Sequence, residues 1–406
     1  MPGQRLEAVL ARELAELERA GSRKGAEAVV AALLPARGGR GPRVLLEGEG
    51  ERPFLRMNSN GYLGLALHPA VIAAEEAAAR AFGAGPGAVR FISGTCAPHT
   101  DLERRLAAFH GRTAAMLYGS AYAAVMGVLP PLITEETAVI SDELNHNCII
   151  NAIRLARPAR KAVYRHLDVG ELEAALAAAA GACRRAVVVT DGVFSMRGDH
   201  APLERIAGLA RAWDARFPEN VLVVVDDSHG VGAVGATGRG SEEVTGGRAD
   251  LLVATLGKAF GVNGGYVAAS RVVIDYLRER SPFYVYSNPI TPGEAAAAAR
   301  ALEIVDGAEG RARLDDLRAM TVRFREGLAG LGRETLPGEH PVVPLLLRDT
   351  QRTRALVRHL RERGILATGL TYPVVPRGEE EIRFQISADH TAADIDEALH
   401  ALGSFR

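Results

Sequence analysis

Lysine is scarce in this chain. Lys and Arg together account for 48 of its 406 residues, and only three of the 48 are lysine. One of them, Lys258, ends a segment that reads as a buried strand followed by a glycine-rich turn (residues 250–261, DLLVATLGKAFG). Arginine cannot replace lysine in covalent chemistry, because only an amine whose pKa can be lowered forms a Schiff base. A solvated loop lysine is the ordinary alternative, but the apolar setting favours the covalent role.

Cysteines and long apolar runs are also few. The three cysteines, Cys96, Cys148 and Cys183, are an odd number without metal-ligand spacing, which predicts small buried thiols in a reducing compartment. No run approaches the roughly 18 to 20 apolar residues of a membrane span, and the first residues lack a signal-peptide apolar region. We therefore expect a soluble, cytoplasmic protein without membrane contact.

Charge of neither sign dominates. The 49 acidic residues nearly balance the 48 basic ones, for a formal net charge of -1, and the arginines form no basic stripe. Nucleic acid is therefore not expected as a partner. The chain is 48% apolar and 24% charged, which is typical of a globular protein with one large and one smaller domain.

Hydrophobic periodicity predicts an α/β fold. An amphipathic helix is expected over residues 5–20, ended by Gly21. From residue 69 helices alternate with β-branched strands, which indicates a parallel sheet covered on both faces. The predicted strands are 114–118, 137–141, 161–164, 186–190, 221–225, 251–255, 342–347 and 382–386. The predicted helices are 70–82, 102–110 (capped by Thr100 or Asp101), 169–180, 203–216, long helices within 291–331, 352–363 and a closing helix from Thr391.

Three segments follow from this pattern: an N-terminal helix and extended arm (1–56), a large domain (57–292) and a smaller C-terminal α/β domain (293–406). Ligands of open α/β sheets bind beyond the carboxyl ends of the strands. The residues that carry chemistry are therefore expected at those ends.

A buried strand runs directly into Asp226, Asp227, Ser228 and His229. This cluster could be a metal site, a general acid/base group or an anchor for a positively charged heterocycle. A metal site would need further ligands, and none lie at a recognisable spacing. Lys258 follows at the end of the next predicted strand, so that it can share a pocket with Asp226. An amine and a carboxylate are the two parts that pyridoxal phosphate (PLP) requires.

Other strand ends offer weaker signals. The turn before Ala121 and Tyr122 opens a predicted helix, whose amides could bind a phosphate. Asp191 and Ser195 follow a third strand, and His146 follows a fourth, where it could stack on a planar ring. Taken singly, His146 is more often a structural histidine and Ser195 more often a helix cap.

Together these segments resemble the α-oxoamine synthase family of PLP-dependent enzymes. The resemblance runs from residues 60–64 (NGYLG) to Arg383 and residues 387–391 (SADHT), and it is most specific at 190–196, 226–230 and 255–258. It implies the fold-type I architecture of aspartate aminotransferase, a large domain with a mostly parallel sheet plus a smaller C-terminal α/β domain.

The family's site roles carry over from the same resemblance. It implies PLP as cofactor, bound covalently by Lys258, paired through its ring nitrogen with Asp226 and stacked by His146. Ser195 and His229 would lie at the ring hydroxyl, and Asn60 near the substrate. The remaining implied roles are phosphate binding by Ala121, Tyr122 and Thr255, contact with the partner subunit's phosphate by Ser287 in a homodimer with shared active sites, and a clamp on the amino-acid carboxylate by Arg383.

The resemblance also implies the reaction. The family joins an amino acid to an acyl-CoA, with Lys258, Asp226, His146 and His229 as catalytic residues. Stretches 88–95 (AVRFISGT), 238–241 (GRGS) and 372–378 (YPVVPRG) look most like the glycine C-acetyltransferase branch. That branch favours glycine and acetyl-CoA, with Val89 and Arg90 at the substrate site. The alternative is an 8-amino-7-oxononanoate synthase-like or broad-specificity enzyme that uses alanine or serine and longer acyl-CoAs.

The chain departs from the family pattern after the stacking histidine. Asn147 and Cys148 stand where the family usually has Ala-Ser, and Arg197 stands where it usually has Asp; the segment 288–292 also differs in detail. These changes leave the PLP chemistry in place and bear on the substrates.

Three other functions compete with this one. A PLP lyase or aldolase on the same fold would cleave β-hydroxy amino acids without CoA. A non-catalytic binding subunit of the family would typically lack the lysine that this chain has. A nucleotide-binding dehydrogenase would need a G-x-G-x-x-G turn after its first strand, whereas the glycine cluster at 83–87 follows a helix.

Overall fold

A computed structural model describes residues 3–20, 23, 25–372 and 374–405. Its strands, in chain order, are β1 (Val30–Leu34), β2 (Arg43–Leu46), β3 (Leu55–Arg56), β4 (Ala114–Tyr118), β5 (Thr137–Asp142), β6 (Arg160–Tyr164), β7 (Arg185–Asp191), β8 (Val221–Asp226), β9 (Leu251–Thr255), β10 (Gly265–Ala269), β11 (Val342–Leu346), β12 (Ile365–Leu366), β13 (Thr368–Leu370) and β14 (Glu381–Gln385).

The helices are α1 (Gln4–Arg19), α2 (Pro69–Phe82), α3 (Ala97–Phe109), α4 (Ala121–Leu132), α5 (Asn147–Ala156), α6 (Val169–Ala179), α7 (Leu203–Trp213), α8 (Ser241–Thr245), α9 (Arg271–Arg280), α10 (Pro282–Val285), α11 (Pro292–Val305), α12 (Ala308–Gly330), α13 (Thr350–Glu362) and α14 (Ala392–Gly403). Across the described residues, no helix is both long enough and apolar enough to cross a bilayer.

The chain divides into two compact units. The larger unit holds residues 60–319 and 338–341, and the smaller unit holds residues 1–59, 320–337 and 342–406. The sequence-based boundaries at 56/57 and 292/293 differ from these, because α11 and the first part of α12 belong to the larger unit. The functional division into three segments stays a prediction.

A seven-stranded sheet forms the centre of the larger unit, in the order β4-β10-β9-β8-β7-β5-β6. The strands run parallel except β10, which is antiparallel to both β4 and β9. Val187 and Val189 of β7 pack in one core with α4 and α5, while Val188 packs in a second core with α6 and α7. Alternate side chains of a strand point to opposite faces, so helices cover both faces and leave the strand ends for chemistry.

The smaller unit is built on a three-stranded antiparallel sheet in the order β11-β14-β13. β1 pairs with β2, and β12 pairs in parallel with β3. The central strand β14 carries Arg383, which is opposite Pro344 on β11 and Thr368 on β13. The predicted helices and strands of this unit are present, whereas the short strands β12 and β13 were not predicted.

Several details differ from the sequence interpretation. β10 was not predicted, because its small residues carry little β-branched signal. Helix α3 begins at Ala97, five residues before its predicted start, with Cys96 as its N-cap. Neither Thr100 nor Asp101 is the cap; instead, the His99 side chain accepts a hydrogen bond from the backbone N–H of Cys96 at 3.0 Å. Gly21, the predicted end of α1, and Pro373 lie outside the described residues.

Candidate active site

The carboxyl ends of five strands of the large sheet meet at a cavity of about 220 Å³. Eight of the predicted site residues line it: Ala121, Tyr122, His146, Ser195, Asp226, His229, Thr255 and Lys258. Five residues outside the predicted set also line it: Ser120, Cys148, Asp191, Val193 and Ser228. Asp191 and Ser228 belong to the strand-end clusters that the sequence analysis singled out, although no site role was assigned to either.

Two carboxyl groups lie side by side in the cavity. Asp191 and Asp226 are register partners at the ends of β7 and β8. Both are buried. Burial, reinforced by the charge of Asp226, raises the pKa of Asp191 well above its ordinary value. Asp226 accepts a hydrogen bond at Oδ1 from the Ser228 backbone N–H at 3.1 Å, which orients its carboxylate.

His146 is the N-cap of α5, at the mouth of the cavity. Its backbone N–H donates to Asp191 Oδ2 at 3.0 Å, and its ring Nδ1 accepts from the backbone N–H of Cys148 at 3.3 Å. Burial against these groups lowers the pKa of His146, outweighing the opposite effect of Asp226. A neutral imidazole is thus presented edge-on to the Tyr122 ring, with centroids 6.3 Å apart.

Tyr62 and His340 hold His229 in position. The hydroxyl of Tyr62, a fully buried residue, lies 2.7 Å from His229 Nδ1 and 3.5 Å from Asn60 Oδ1. The ring of His340 lies against Tyr62, and its Nε2 is 2.8 Å from the backbone oxygen of His229. Asn60 therefore connects to the cavity through Tyr62, although it does not line it.

The start of α4 forms one end of the cavity. Ser120 caps the helix by accepting from the Ala123 N–H at 3.0 Å. Within the described parts of the chain, the backbone N–H groups of Ala121 and Tyr122 have no acceptor. Such amides at a helix N-terminus favour phosphate. A Cβ on Gly265 would lie 2.2 Å from the Ala121 nitrogen, so the absence of a side chain at β10 lets the helix start lie against the sheet.

Comparisons with known proteins identify the family. The aminotransferase class I and II family matches residues 52–402. A 2-amino-3-ketobutyrate coenzyme A ligase from Escherichia coli (strain K12) is 44% identical over 349 residues, 84% of this chain and 85% of that protein. An 8-amino-7-oxononanoate synthase from Bacillus velezensis is 41% identical over 367 residues, 90% of each chain.

The chain belongs to the α-oxoamine synthases of the aminotransferase class I and II family. A solved structure of serine palmitoyltransferase with PLP matches it with a TM-score of 0.87 and 24% identity, covering 99% of this chain and 97% of that one. The synthase thus has the fold-type I architecture predicted from its sequence, it is a PLP-dependent acyltransferase, and its cofactor is PLP.

The cavity of the synthase fits that cofactor. It offers an amine at Lys258, a carboxylate at Asp226 and unpaired amides at the start of α4, which match the aldehyde, the ring nitrogen and the phosphate of PLP. The buried hydroxyl of Ser228 has no hydrogen-bond partner among the described residues, so it is available to a polar atom of a ligand. In the described chain, His, Cys, Asp and Glu side chains form no group of three that could hold a metal ion.

Behind the cavity, the carboxyl group of Asp227 is fully buried, and burial raises its pKa to about 8. Its Oδ2 accepts from the Ser241 N–H at 2.8 Å. A Cβ on Gly192, Gly230 or Gly240 would lie 2.1 to 2.2 Å from its oxygens. Three glycines thus make room for a carboxyl group directly behind Asp226.

The loop that carries Ser195 is held by an ion cluster that includes the departure at Arg197. Arg197 Nε donates to Asp199 at 2.9 Å, and His166 bridges Asp199 and Asp142 at 3.2 and 3.1 Å. Burial lowers the pKa of His166, but the two carboxylates outweigh that effect and raise it to about 9. The arginine is thus accommodated by a counter-ion two residues away, and Ser195 keeps its place in the cavity.

The other predicted residues of the larger unit lie outside the cavity lining. The Arg90 guanidinium donates to both carboxylate oxygens of Glu103, at 3.0 and 3.1 Å, and to Thr95 at 2.9 Å. Val89 is the N-cap of the single π-helical turn Arg90–Gly94. Ser287 is exposed and donates to the Asn288 carbonyl at 3.4 Å.

Arg383 belongs to the smaller unit. When the Gln385 amide is oriented to satisfy its hydrogen bonds, its oxygen accepts from Arg383 Nη2 at 2.8 Å and Nε at 2.9 Å. The guanidinium therefore has a fixed direction on β14 before any substrate binds.

Proposed function

We propose that this synthase joins a small amino acid, with glycine favoured, to the acyl group of a short acyl-CoA, with acetyl-CoA favoured. A carbon–carbon bond forms between the amino-acid Cα and the acyl carbon, the thioester bond breaks, and CoA leaves as the thiol. The product is a 2-amino-3-keto acid, or an α-amino ketone after decarboxylation. The observation that carries the proposal is the cavity that gathers Lys258, Asp226, His146 and the start of α4.

Each residue has a distinct role in this proposal. PLP, bound through Lys258 and paired with Asp226, supplies an electron sink for the carbanion. Lys258 Nζ accepts the proton lost from the amino-acid Cα and later returns one. His146 stacks on the cofactor ring, and Ser195 lies at the ring hydroxyl. The amides of Ala121 and Tyr122, with Thr255, bind the phosphate.

Two further residues act on the substrates. Arg383 binds the amino-acid carboxylate through two parallel hydrogen bonds, and Asn60 contributes nearby. His229 donates from Nε2 to the acyl oxygen as negative charge develops there. Tyr62 lies on the opposite nitrogen, Nδ1, at 2.7 Å, and this contact keeps the ring in the orientation that the role requires.

Glycine and acetyl-CoA are supported by the relative named 2-amino-3-ketobutyrate coenzyme A ligase and by the stretch 88–95. The turn in that stretch is tightly built, since a Cβ on Gly94 would lie 1.9 Å from the Ala88 oxygen. Arg90 holds the turn against Glu103, and Val89 at the start of this turn is proposed to contribute to the preference for a short substrate.

The second candidate is an 8-amino-7-oxononanoate synthase-like activity with alanine or serine and a longer acyl-CoA. The relative of that name from Bacillus velezensis favours it. A matrix of glycine, alanine and serine against acetyl-, propionyl-, pimeloyl- and palmitoyl-CoA, read as free thiol, separates the two. The highest kcat/KM for glycine with acetyl-CoA supports the proposal, and a preference for alanine with pimeloyl-CoA supports the second candidate.

A control separates both from a lyase. Threonine and other β-hydroxy amino acids are incubated without any CoA ester, and aldehyde release is measured. We expect no aldehyde at the rate of thiol release. Rapid CoA-independent cleavage would instead assign the protein to the lyases.

We also propose a homodimer in which Ser287 of each protomer contributes to its partner's phosphate site. α1 buries none of its residues, and its apolar side chains are exposed, namely Leu6, Val9, Leu10, Leu14 and Leu17. Ser287 and its neighbour Tyr286 are exposed too, and such apolar surfaces mark interaction sites. Light scattering coupled to gel filtration tests the mass, and the expected particle has twice the 43.0 kDa of the chain.

Mixing two inactive variants tests the shared site. Lys258→Ala removes the lysine, and Ser287→Asp places a negative charge beside the partner's phosphate. Random re-association of equal amounts gives half heterodimers with one intact site each, so about a quarter of wild-type activity returns. No recovery, with heterodimers present, would place Ser287 outside the partner's site.

We extend the proposal to a cytoplasmic location, which the three unpaired thiols support.

A further inference from the structure

Cys148, a residue of the cavity, contacts both His146 and Asp226 by hydrogen-bond geometry. Its Sγ lies 3.0 Å from His146 Nδ1 and 3.7 Å from Asp226 Oδ2. The side chain is buried in the first turn of α5. It stands where the family usually has serine, so both residue types at this position carry a donor.

The protonation state of His146 follows from its contacts. The Cys148 backbone N–H donates to Nδ1 at 3.3 Å, so this nitrogen carries a lone pair and the ring proton lies on Nε2. The thiol lies on the same nitrogen at 3.0 Å and can donate to it as well. The backbone donor favours the neutral Nε2–H tautomer, and the thiol strengthens this preference whenever its proton points to Nδ1.

The same sulfur is placed to orient the carboxylate. Asp226 Oδ1 accepts from the Ser228 N–H, and Oδ2 has the Cys148 thiol at 3.7 Å. The backbone N–H of Ser228 is thus a fixed donor to Oδ1, whereas Oδ2 shares the thiol proton with His146 Nδ1. The thiol has one proton and two acceptors, His146 Nδ1 and Asp226 Oδ2, so it couples the stacking ring to the carboxylate that pairs with the cofactor nitrogen.

We propose that Cys148 is a positioning residue of the PLP site, which holds His146 as the neutral Nε2–H tautomer and orients the carboxylate of Asp226. The inference rests on the proposed function, because His146 and Asp226 act on the cofactor only there. It assigns a role to a departure from the family pattern that the reaction itself does not explain.

The charged surroundings keep the sulfur protonated. The groups that face it are Asp226 and Asp191 from the strand ends, His146 from its own helix, and Lys258 from the turn after β9. Burial raises the pKa of the Cys148 thiol strongly, and the two carboxylates raise it further. The side chain therefore acts as a donor and not as a nucleophile.

Three substitutions separate donation from packing. Cys148→Ser keeps a donor, Cys148→Val fills the volume without one, and Cys148→Ala removes both. A hydrogen bond to Nδ1 stabilises the unprotonated ring and so lowers the pKa of His146. Loss of the thiol also leaves Asp226 Oδ2 more available to a protonated ring. Both effects act in the same direction: we expect the His146 titration midpoint to rise by about half a pH unit or more in the Ala and Val variants.

The measurement is two-bond ¹H–¹⁵N correlation on the full-length, ¹⁵N-histidine-labelled protein, with and without PLP, with the His146 signal assigned from a His146→Gln variant. The wild type should show the Nε2–H tautomer, and the Ser variant should titrate within about 0.2 pH units of it, since the donor is retained. An Nδ1–H tautomer in the wild type, or an unchanged midpoint in the Ala and Val variants, would overturn the inference.

The two proposals fail differently. If the wild type forms no PLP absorbance band and releases no thiol from any acyl-CoA, the proposed function fails, whatever the titration shows. If the band and the thiol release are present but the Ala and Val midpoints match the wild type, only the role of Cys148 fails.

Discussion

Asp191 and Asp226 end neighbouring parallel strands as register partners, and both line the cavity of Lys258. They differ in what holds them: Asp226 accepts from the Ser228 N–H, and Asp191 accepts from the His146 N–H. The raised pKa of Asp191 favours its protonated form, which is consistent with the proposal that Asp226 is the residue that pairs with the cofactor nitrogen. The two carboxyl groups therefore have different roles, although they lie side by side at the ends of β7 and β8.

This inequality predicts opposite results for two matched substitutions. Asp226→Asn removes the charge that stabilises a protonated ring nitrogen, and kcat should fall at least about 100-fold. Asp191→Asn replaces a neutral carboxyl group by a neutral amide that can still accept from His146, and kcat should fall less than about tenfold. Steady-state thiol release measures both. Equal losses of kcat in the two variants would contradict the different roles of Asp226 and Asp191.

Lys258→Ala should abolish the absorbance band of bound PLP and reduce turnover to background, because no other amine lines the cavity among the residues described. Lys161→Ala is the matched control, since Lys161 is exposed on β6 and its loss should change neither quantity. If Lys258→Ala kept the absorbance band and full turnover, Lys258 would not be the residue that binds PLP.

Gly265→Ala should weaken PLP binding at least about tenfold, because the new Cβ would displace the Ala121 amide from 2.2 Å. Gly208→Ala is a control on α7, where a Cβ meets nothing within 4 Å, and it should bind PLP normally. Fluorescence or absorbance titration of the cofactor-free protein gives both dissociation constants. Equal dissociation constants for the two variants would show that the start of α4 does not bind the phosphate of PLP.

Arg90→Met should cost about 1.5 to 3 kcal/mol of unfolding free energy, because Glu103 loses its bidentate partner but keeps the ion pair with Arg278 at 2.9 Å and the Leu117 N–H at 3.0 Å. We expect the KM for glycine to change less than about twofold, since Arg90 is committed to Glu103 and acts through the turn that it holds. Glu103→Gln is the control: it should also lose stability. A large rise in KM that is confined to the Arg90 variant would show direct substrate contact instead.

His166 should make stability depend on pH in the alkaline range. Its pKa is raised to about 9 in the folded protein against an ordinary 6.5. The stabilisation is therefore fully present below about pH 6.5 and is lost as the pH rises through about 9. With partial solvent screening this amounts to about 1 to 2 kcal/mol. Urea unfolding at pH 6.5 and 9.5 should show a larger loss in the wild type than in His166→Gln, because the raised pKa of Asp227, about 8, adds a loss of the same sign to both proteins. His400→Gln, at an exposed position, should behave as the wild type does.

The strand ends could be read from the sequence because apolar β-branched runs stop where polar residues begin. β4 and β9 have the predicted bounds, and the polar residues after β8 lie in the cavity as expected. β10 escaped because its five residues, GYVAA, include a glycine and two alanines, which carry weak strand preference. Its position between β4 and β9 depends on pairing across distant parts of the chain, which local patterns do not contain.

The sequence predicts which residue types form the site, but it does not predict which of these side chains contact one another. Cys148 was visible as a departure, yet its place between His146 and Asp226 depends on how α5 starts beside β8. Likewise, Tyr62 was part of a conspicuous motif, but its contact with His229 spans 167 residues. The fixed positions of donors and acceptors arise from packing of the whole sheet.

β10, the strand that runs antiparallel to its neighbours in the seven-stranded sheet, determines when the sheet can be completed during protein synthesis. β4 lies at the edge and pairs with β10, whose partner residues begin at Gly265, opposite Tyr118. Until the ribosome has released that segment, the edges of β4 and β9 are both open and able to pair with other chains. Ribosome-stalled chains that end before β10 should therefore need chaperones, and the capacity to capture the cofactor should arise late in synthesis.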